Sequence, residues 1–257
     1  MTGNLQVGLA LGGGLARGLA HIGVLKVLLQ EGIKVDYLAG TSMGSLIASL
    51  YACGLKLGLM EKLAKRISRR VWMDFTFPRM GLMAGDKLEQ LVYLLTKKRS
   101  IEDLPLPLGI VATDITKGER AVIRTGSIAK AVRASCALPG IFNPVEIGGR
   151  LMVDGGVLER VPAQAVKEMG AEVVIAVDVG VYEEEYKIDS MLDVIFKTID
   201  IMAREITRAR ELEADVLISP DLKDVAPFQF QLVEEAIDRG EQAAYQALPL
   251  VRSVLNH

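Results

Sequence analysis

Gly40-Thr41-Ser42-Met43-Gly44 sits where a strand must turn at once into a helix, and nothing else in the chain constrains the fold as tightly. Val35 to Ala39 reads as a short buried strand, and the residues after the pentapeptide carry Ile47, Leu50 and Tyr51 at helical spacing. A Gly-x-Ser-x-Gly turn between two such elements lifts the serine hydroxyl to the head of the helix. Gly40 and Gly44 leave room for the bend and for a neighbouring segment to pass close. The plainer reading is a serine that only caps a helix, which is a common role. The position between strand and helix favours a nucleophile.

The rest of the chain repeats the strand-then-helix rhythm. Residues 5 to 11 form an apolar run entering glycines, and 19 to 30 carry Leu19, Ile22, Leu25 and Leu29 on one helical stripe before Glu31-Gly32. Helices are expected over 55–70, 86–95, 127–134 and 162–169, where Pro162 suits a first turn. Strands are expected over 108–113, 120–124, 151–153, 173–179 and 216–219. A long amphipathic helix over 188–212 places Leu192, Ile195, Ile199, Met202, Ile206 and Ala209 on a core stripe, and a last helix spans 231–248. This alternation predicts an α/β fold with a mostly parallel sheet. With no linker or repeat in its 257 residues, one domain over 5–250 is the economical reading.

Composition narrows the function classes. A formal net charge of -2, from 30 basic and 32 acidic residues, gives no basic field for nucleic acid. Cys53 and Cys136 lie far apart in apolar surroundings and read as buried free thiols of a reducing compartment. The N-terminus has no leader pattern and no stretch is apolar enough for a membrane span, so the expected location is cytoplasmic, with peripheral contact to the inner membrane face left open. Only His21 and His257 are histidines, and His257 is the last residue, so no His-based metal site is expected.

The same scarcity raises the question of which base would serve Ser42, because a serine nucleophile ordinarily has a base beside it. His21 lies early in a helix, where a satisfied packing role or support of the preceding loop is the more common fate. Asp154 ends a strand and is followed by Gly155 and Gly156, which permit close approach to another loop. A carboxylate there can take the serine proton if both share one cleft, although an unperturbed carboxylate is a poor base for a hydroxyl. Without Ser42, Asp-Gly-Gly would read as a simple turn. Asp178 also follows a strand and reads as loop support.

Gly12-Gly13-Gly14-Leu15-Ala16-Arg17-Gly18, directly after the first strand, frees backbone N–H groups to face a cavity, as an oxyanion hole requires. Arg17 either ties the loop through carbonyl contacts or meets an acidic head group. A dinucleotide fingerprint would need its sixth-position glycine where Arg17 stands, although Asp36 lies near the expected ribose offset. A phosphate-binding P-loop would need Lys after the last glycine, and Leu19 stands there.

Glycine loop, serine elbow and Asp154-Gly155-Gly156 together resemble the patatin-like phospholipase family, in particular its short bacterial members. The similarity runs from about Val7 to Pro220 and includes Ala20-His21-Ile22-Gly23-Val24-Leu25 and Arg133-Ala134-Ser135-Cys136-Ala137-Leu138-Pro139-Gly140-Ile141-Phe142. The resemblance implies a three-layer α/β/α sandwich and a serine–aspartate dyad of Ser42 and Asp154, with no cofactor and no metal. Backbone N–H groups of Gly13, Gly14 and Leu15 would form the oxyanion hole, with Gly12, Arg17, Gly18, Gly40, Gly44, Gly155 and Gly156 in support. The implied activity is hydrolysis of acyl esters in phospholipids, lysophospholipids or other lipids. Transacylation with the same dyad and non-catalytic lipid binding are the alternatives. Leu15 departs from the family's usual glycine and would restrict the loop and narrow the acyl entrance.

Val71 to Met83 carries Trp72, Met73, Phe75, Phe77, Met80, Leu82 and Met83 with little polar relief, near Arg66, Arg69, Arg70 and Arg79. It reads equally as a lid opening toward lipid, as a connector packed over the core, or as a contact in a homo-oligomer.

Overall fold

A computed structural model describes residues 5–66, 80–181, 188–189, 191–209 and 212–255. Most of the apolar stretch 71–83, with Arg69, Arg70 and Arg79, lies outside the described residues. In chain order the first half comprises β1 (Val7–Leu11), α1 (Ala20–Gln30), β2 (Tyr37–Thr41), α2 (Met43–Ala52), α3 (Leu57–Arg66), β3 (Gly81–Met83), α4 (Asp86–Leu95), β4 (Leu108–Asp114) and β5 (Glu119–Ile123). The second half comprises α5 (Ile128–Ser135), β6 (Gly140–Phe142), β7 (Val145–Ile147), β8 (Arg150–Asp154), α6 (Ala163–Met169), β9 (Val173–Val177), α7 (Met191–Ala209), β10 (Val216–Ile218) and α8 (Val233–Leu255).

The main sheet has the order β10-β9-β1-β2-β4-β8-β7, with β5 on the other side of β4. Its β10-to-β4 part is parallel, and β5, β7 and β8 add an antiparallel wing. Every residue of β1, β4 and β9 is buried, which is why those segments read as continuous apolar runs. Alternate side chains feed two apolar layers. Leu9, Leu11, Leu38 and Ile175 pack toward α1, α2 and α8, while the smaller Ala10, Ala39, Val174 and Ala176 pack toward α6. The result is the expected α/β/α arrangement of three layers.

One detail of register determines the rest. β2 pairs with Leu108 to Val111 of β4, and β8 pairs with Ala112 to Asp114 on that same side, because β5 occupies the other. Parallel β2 ends opposite Val111 and antiparallel β8 ends opposite Ala112. Two strands thus approach along one neighbour from opposite directions, and their C-terminal residues meet head to head.

Several boundaries differ from the sequence expectation. The strand expected at 35–39 lies at 37–41, so Ser42 follows the last strand residue with no spacer. β3, β6 and β7 were beyond the periodicity, since three residues are too few to register a period of two. The last helix runs through Pro249 to Leu255 instead of ending at Leu248. Pro249 removes one helical donor there, but the extra turns bury Val251. On α7, Phe196, Asp200 and Ala203 are buried and Ile195 and Ile199 of the expected stripe pack against the core, whereas Met202 stands 53% exposed on the outer face. The inner register follows a ring contact between Phe196 and Phe228 and an ion pair made by Asp200. Among the described residues, no helix is long and apolar enough to cross a membrane.

α1 and α8 cross at near-backbone contact. A Cβ on Gly23 would lie 2.0 Å from the Ile237 carbonyl oxygen, and one on Gly240 would lie 2.1 Å from that of Ala20. Gly23→Ala must therefore push the helices apart. A destabilisation of about 1–3 kcal/mol is expected, read as a lower urea midpoint at unchanged slope.

Candidate active site

The turn from β2 into α2 holds Ser42 at φ 52° and ψ -123°, a strained conformation for a residue with a side chain. Close packing enforces it, because a Cβ on Gly44 would lie 2.1 Å from the Leu11 carbonyl oxygen. Hydrogen bonds fix it further. The Ser42 carbonyl accepts from Ser45 N–H at 2.9 Å and from Ser45 Oγ at 2.6 Å. The Ser42 N–H donates to Ser135 Oγ at 2.8 Å, and Ser135 Oγ donates to the Val111 carbonyl at 2.6 Å. Fully buried Ser135 thus couples the elbow to β4.

The head-to-head strand ends bring Ser42 and Asp154 together across 112 residues of sequence. Ser42 Oγ donates to Asp154 Oδ2 at 2.7 Å, and both residues are buried. The Gly156 N–H donates to Asp154 Oδ1 at 2.8 Å, so Gly155-Gly156 turns the chain back onto its own carboxylate. Burial is the largest influence on that carboxyl and pushes it up to about 6 from an ordinary 3.8, against the lowering pull of the Ser42 and Gly156 hydrogen bonds and of Arg160. A base of that strength suits a hydroxyl far better than an ordinary carboxylate does.

The glycine loop faces the same point. The Gly12 N–H donates to the Val177 carbonyl at 3.0 Å and the Gly13 N–H to the Arg160 carbonyl at 2.9 Å. The Gly13 N–H, expected to face the cavity, is thus engaged by a carbonyl of the protein itself. The N–H groups of Gly14 and Leu15 make no hydrogen bond among the described residues, and both residues line the pocket that holds Ser42 and Asp154. Leu15 sits at φ 51°, where a side chain costs about 1–2 kcal/mol, and packs its own against the cluster of Leu138, Ile141 and Phe196. Gly18 and Met43 touch where loop and elbow meet.

His21 and Arg17 turn out to be loop supports. His21 is fully buried; desolvation lowers its pKa to about 4, and as a neutral ring it donates Nε2–H to the Gly12 carbonyl at 2.7 Å. Buried Arg17 donates from Nε to the Val225 carbonyl at 2.6 Å. Asp178 accepts the Gly180 N–H at 2.8 Å, as loop support. Asp36 bonds the Val7 N–H at the start of β1, the opposite end of that strand from the glycines, which removes the ribose contact of a dinucleotide site. Among the described residues no cluster of His, Cys, Asp or Glu could hold a metal ion.

Leu15, Leu138, Phe196, Ile199 and Ala203 give the pocket apolar walls, and Arg160 with Asp200 supplies a paired charge. Sequence reasoning singled out neither member of that pair, nor Ser135, because their partners lie on distant elements. Cys136 differs from its expected burial: the residue is half-buried, yet its thiol lies beside Ser42 and Ser45, and burial foremost, with Asp154 next, pushes it up to about 12. It stays a neutral thiol.

The patatin-like phospholipase family model matches residues 9–167. Patatin-like phospholipase domain-containing protein 6 of Mus musculus is 38% identical over 192 residues, covering 72% of this chain and 14% of the mouse protein. Lysophospholipase NTE1 of Debaryomyces hansenii is 35% identical over 183 residues, covering 69% of this chain and 12% of the yeast protein. The chain therefore spans about a seventh or less of the length of these relatives. VipD from Legionella pneumophila superposes with a TM-score of 0.64 at 16% identity, covering 96% of this chain and 67% of that one, which is a likeness of fold.

A buried carboxyl raised to about 6 has a consequence for stability. Asp154 binds its proton more tightly folded than unfolded, so folding is favoured most below the ordinary 3.8 and loses about 3 kcal/mol as the pH rises through about 6. Asp154→Asn should match the wild type in urea melts below about pH 4 and exceed it increasingly up to about pH 7. A gap independent of pH would show that the carboxyl is not raised.

Proposed function

The chain belongs to the patatin-like phospholipase family, and from that premise we propose that it is a serine acyl-ester hydrolase of lipids working through Ser42 and Asp154. The observation that carries this reading is the 2.7 Å hydrogen bond from Ser42 Oγ to a buried, proton-hungry carboxylate at the base of an apolar pocket. Residues 5–250 act as one catalytic unit. The substrate class is phospholipids, lysophospholipids or related acyl esters, and the yeast relative's name makes lysophospholipids the first to try.

In the reaction, Asp154 Oδ2 takes the Ser42 proton as Oγ bonds to the ester carbonyl carbon. The carbonyl π electrons move to oxygen, and the Gly14 and Leu15 N–H groups receive that oxyanion. Collapse re-forms the carbonyl and breaks the bond to the alcohol, which leaves with the proton from Asp154. Water then attacks the acyl-enzyme, giving a proton to Asp154. The second collapse releases the fatty acid and returns that proton to Ser42. Leu138, Phe196 and Ile199 hold the acyl chain and exclude water from the carboxylate, which keeps its pKa high. A donor in such a hole is worth about 10²–10³ in kcat, a contribution that lets a carboxylate stand where histidine is usual.

Three outcomes test this. A fluorophosphonate probe should label Ser42 and leave Ser42→Ala unlabelled; absence of label on the wild type, with control hydrolases labelled, would sink the reading. The value of kcat/KM should fall below about pH 6 with an acid limb of slope one, as Asp154 takes up a proton. Leu15→Gly should remain active and favour bulkier acyl chains, measured as the ratio of kcat/KM for branched over straight-chain esters.

A further inference from the structure

Gly13 is gripped by one residue on both sides. Its N–H donates to the Arg160 carbonyl at 2.9 Å, and its carbonyl accepts from Arg160 Nε at 3.3 Å. The Gly13 carbonyl and the Gly14 N–H belong to the same peptide unit. In a planar trans peptide these two groups point in opposite directions, so whatever fixes the carbonyl aims the N–H. Arg160 is itself buried, lines the catalytic pocket, and pairs through Nη1 with Asp200 of α7 at 2.5 Å. Arg204 approaches the other carboxylate oxygen of Asp200 at 3.7 Å.

We propose that Arg160 is the positioning residue of the oxyanion hole: its guanidinium holds the Gly13 carbonyl back and so presents the Gly14 N–H to the developing oxyanion. Asp200 sets the guanidinium plane so that Nε meets Gly13 while Nη1 meets α7. A flat fork holds its donors in fixed directions toward both partners, whereas an ammonium is a rotatable point charge on a flexible stem that does not fix the direction of either contact. The cation on the carbonyl also polarises the peptide, which strengthens the Gly14 N–H as a donor. The inference rests on the serine–aspartate reading above.

The test compares wild type, Arg160→Gln, Arg160→Lys, Asp200→Asn and Ser42→Ala on a water-soluble 4-nitrophenyl ester, with an alkyl trifluoromethyl ketone as the probe of the tetrahedral adduct. Both Arg160 variants should lose about 10- to 100-fold in kcat with KM changed by less than about threefold. Affinity for the ketone should fall by the same factor as kcat/KM, because the ketone's oxyanion sits where the transition state's does. Asp200→Asn should fall in the same direction but by less, since Arg160 still meets Gly13. The proposal is overturned if Arg160→Lys keeps wild-type kcat. It is equally overturned if ketone affinity is unchanged while kcat drops, or if Asp200→Asn loses as much as Arg160→Gln, which would make the pair an anchor for α7 alone. Urea melts identify a variant that has simply unfolded, and Arg160→Lys then decides. Hydrolysis by Ser42→Ala at the wild-type rate is a separate failure; it removes the dyad, and this proposal with it.

Discussion

The architecture turns on two strand ends meeting on one neighbour. β2 and β8 abut head to head along β4, and the dyad hydrogen bond forms at the joint. Everything unusual nearby follows from that juxtaposition. The serine must leave its strand without a spacer, so it takes a strained conformation that the surrounding packing has to hold. The aspartate sits at the closed end of a ladder under apolar walls, so water is excluded and its carboxyl is raised. The burial that raises the Asp154 carboxyl also makes it a burden on the fold at neutral pH.

The segment leaving β8 touches all three motifs. Asp154 meets Ser42, the Glu159 carbonyl accepts from Thr41 Oγ1 at 3.0 Å, and the Arg160 carbonyl accepts from Gly13. Seven residues, 154–160, thus link the serine elbow, Asp154 and the glycine loop. His21 and Arg17 grip the loop from the opposite direction, through Gly12 and Val225. The backbone carbonyls of Gly12, Val225 and Gly13 are each held by a buried side chain, His21, Arg17 and Arg160 respectively.

Much of this was legible in sequence for identifiable reasons. Buried parallel strands leave continuous apolar runs, so β1, β4 and β9 were readable. Motifs at strand ends are readable because tight turns admit few residue types, hence Ser42 between glycines and Asp154 before two more. Short strands such as β6 and β7 carry too little pattern, and Pro249 sent a stop signal that the burial of Val251 overrode. The inner face of α7 departs from the sequence pattern at Met202, because an amphipathic helix with apolar residues on two sides does not declare which side the core will take.

By itself the sequence determined which residue types could do chemistry and in what order along the chain they come: a serine in a turn, an aspartate at a strand end, a glycine loop, and too few histidines for a triad. The tertiary structure decided which atoms meet. It engaged Gly13 N–H with Arg160 and left Gly14 and Leu15 facing the pocket, and brought Ser135, Arg160 and Asp200 to the site. The physical reason is that local sequence governs backbone conformation over a few residues. Hydrogen-bond partners at separations of 40 to 147 residues are set by sheet register and helix placement, which depend on the whole core.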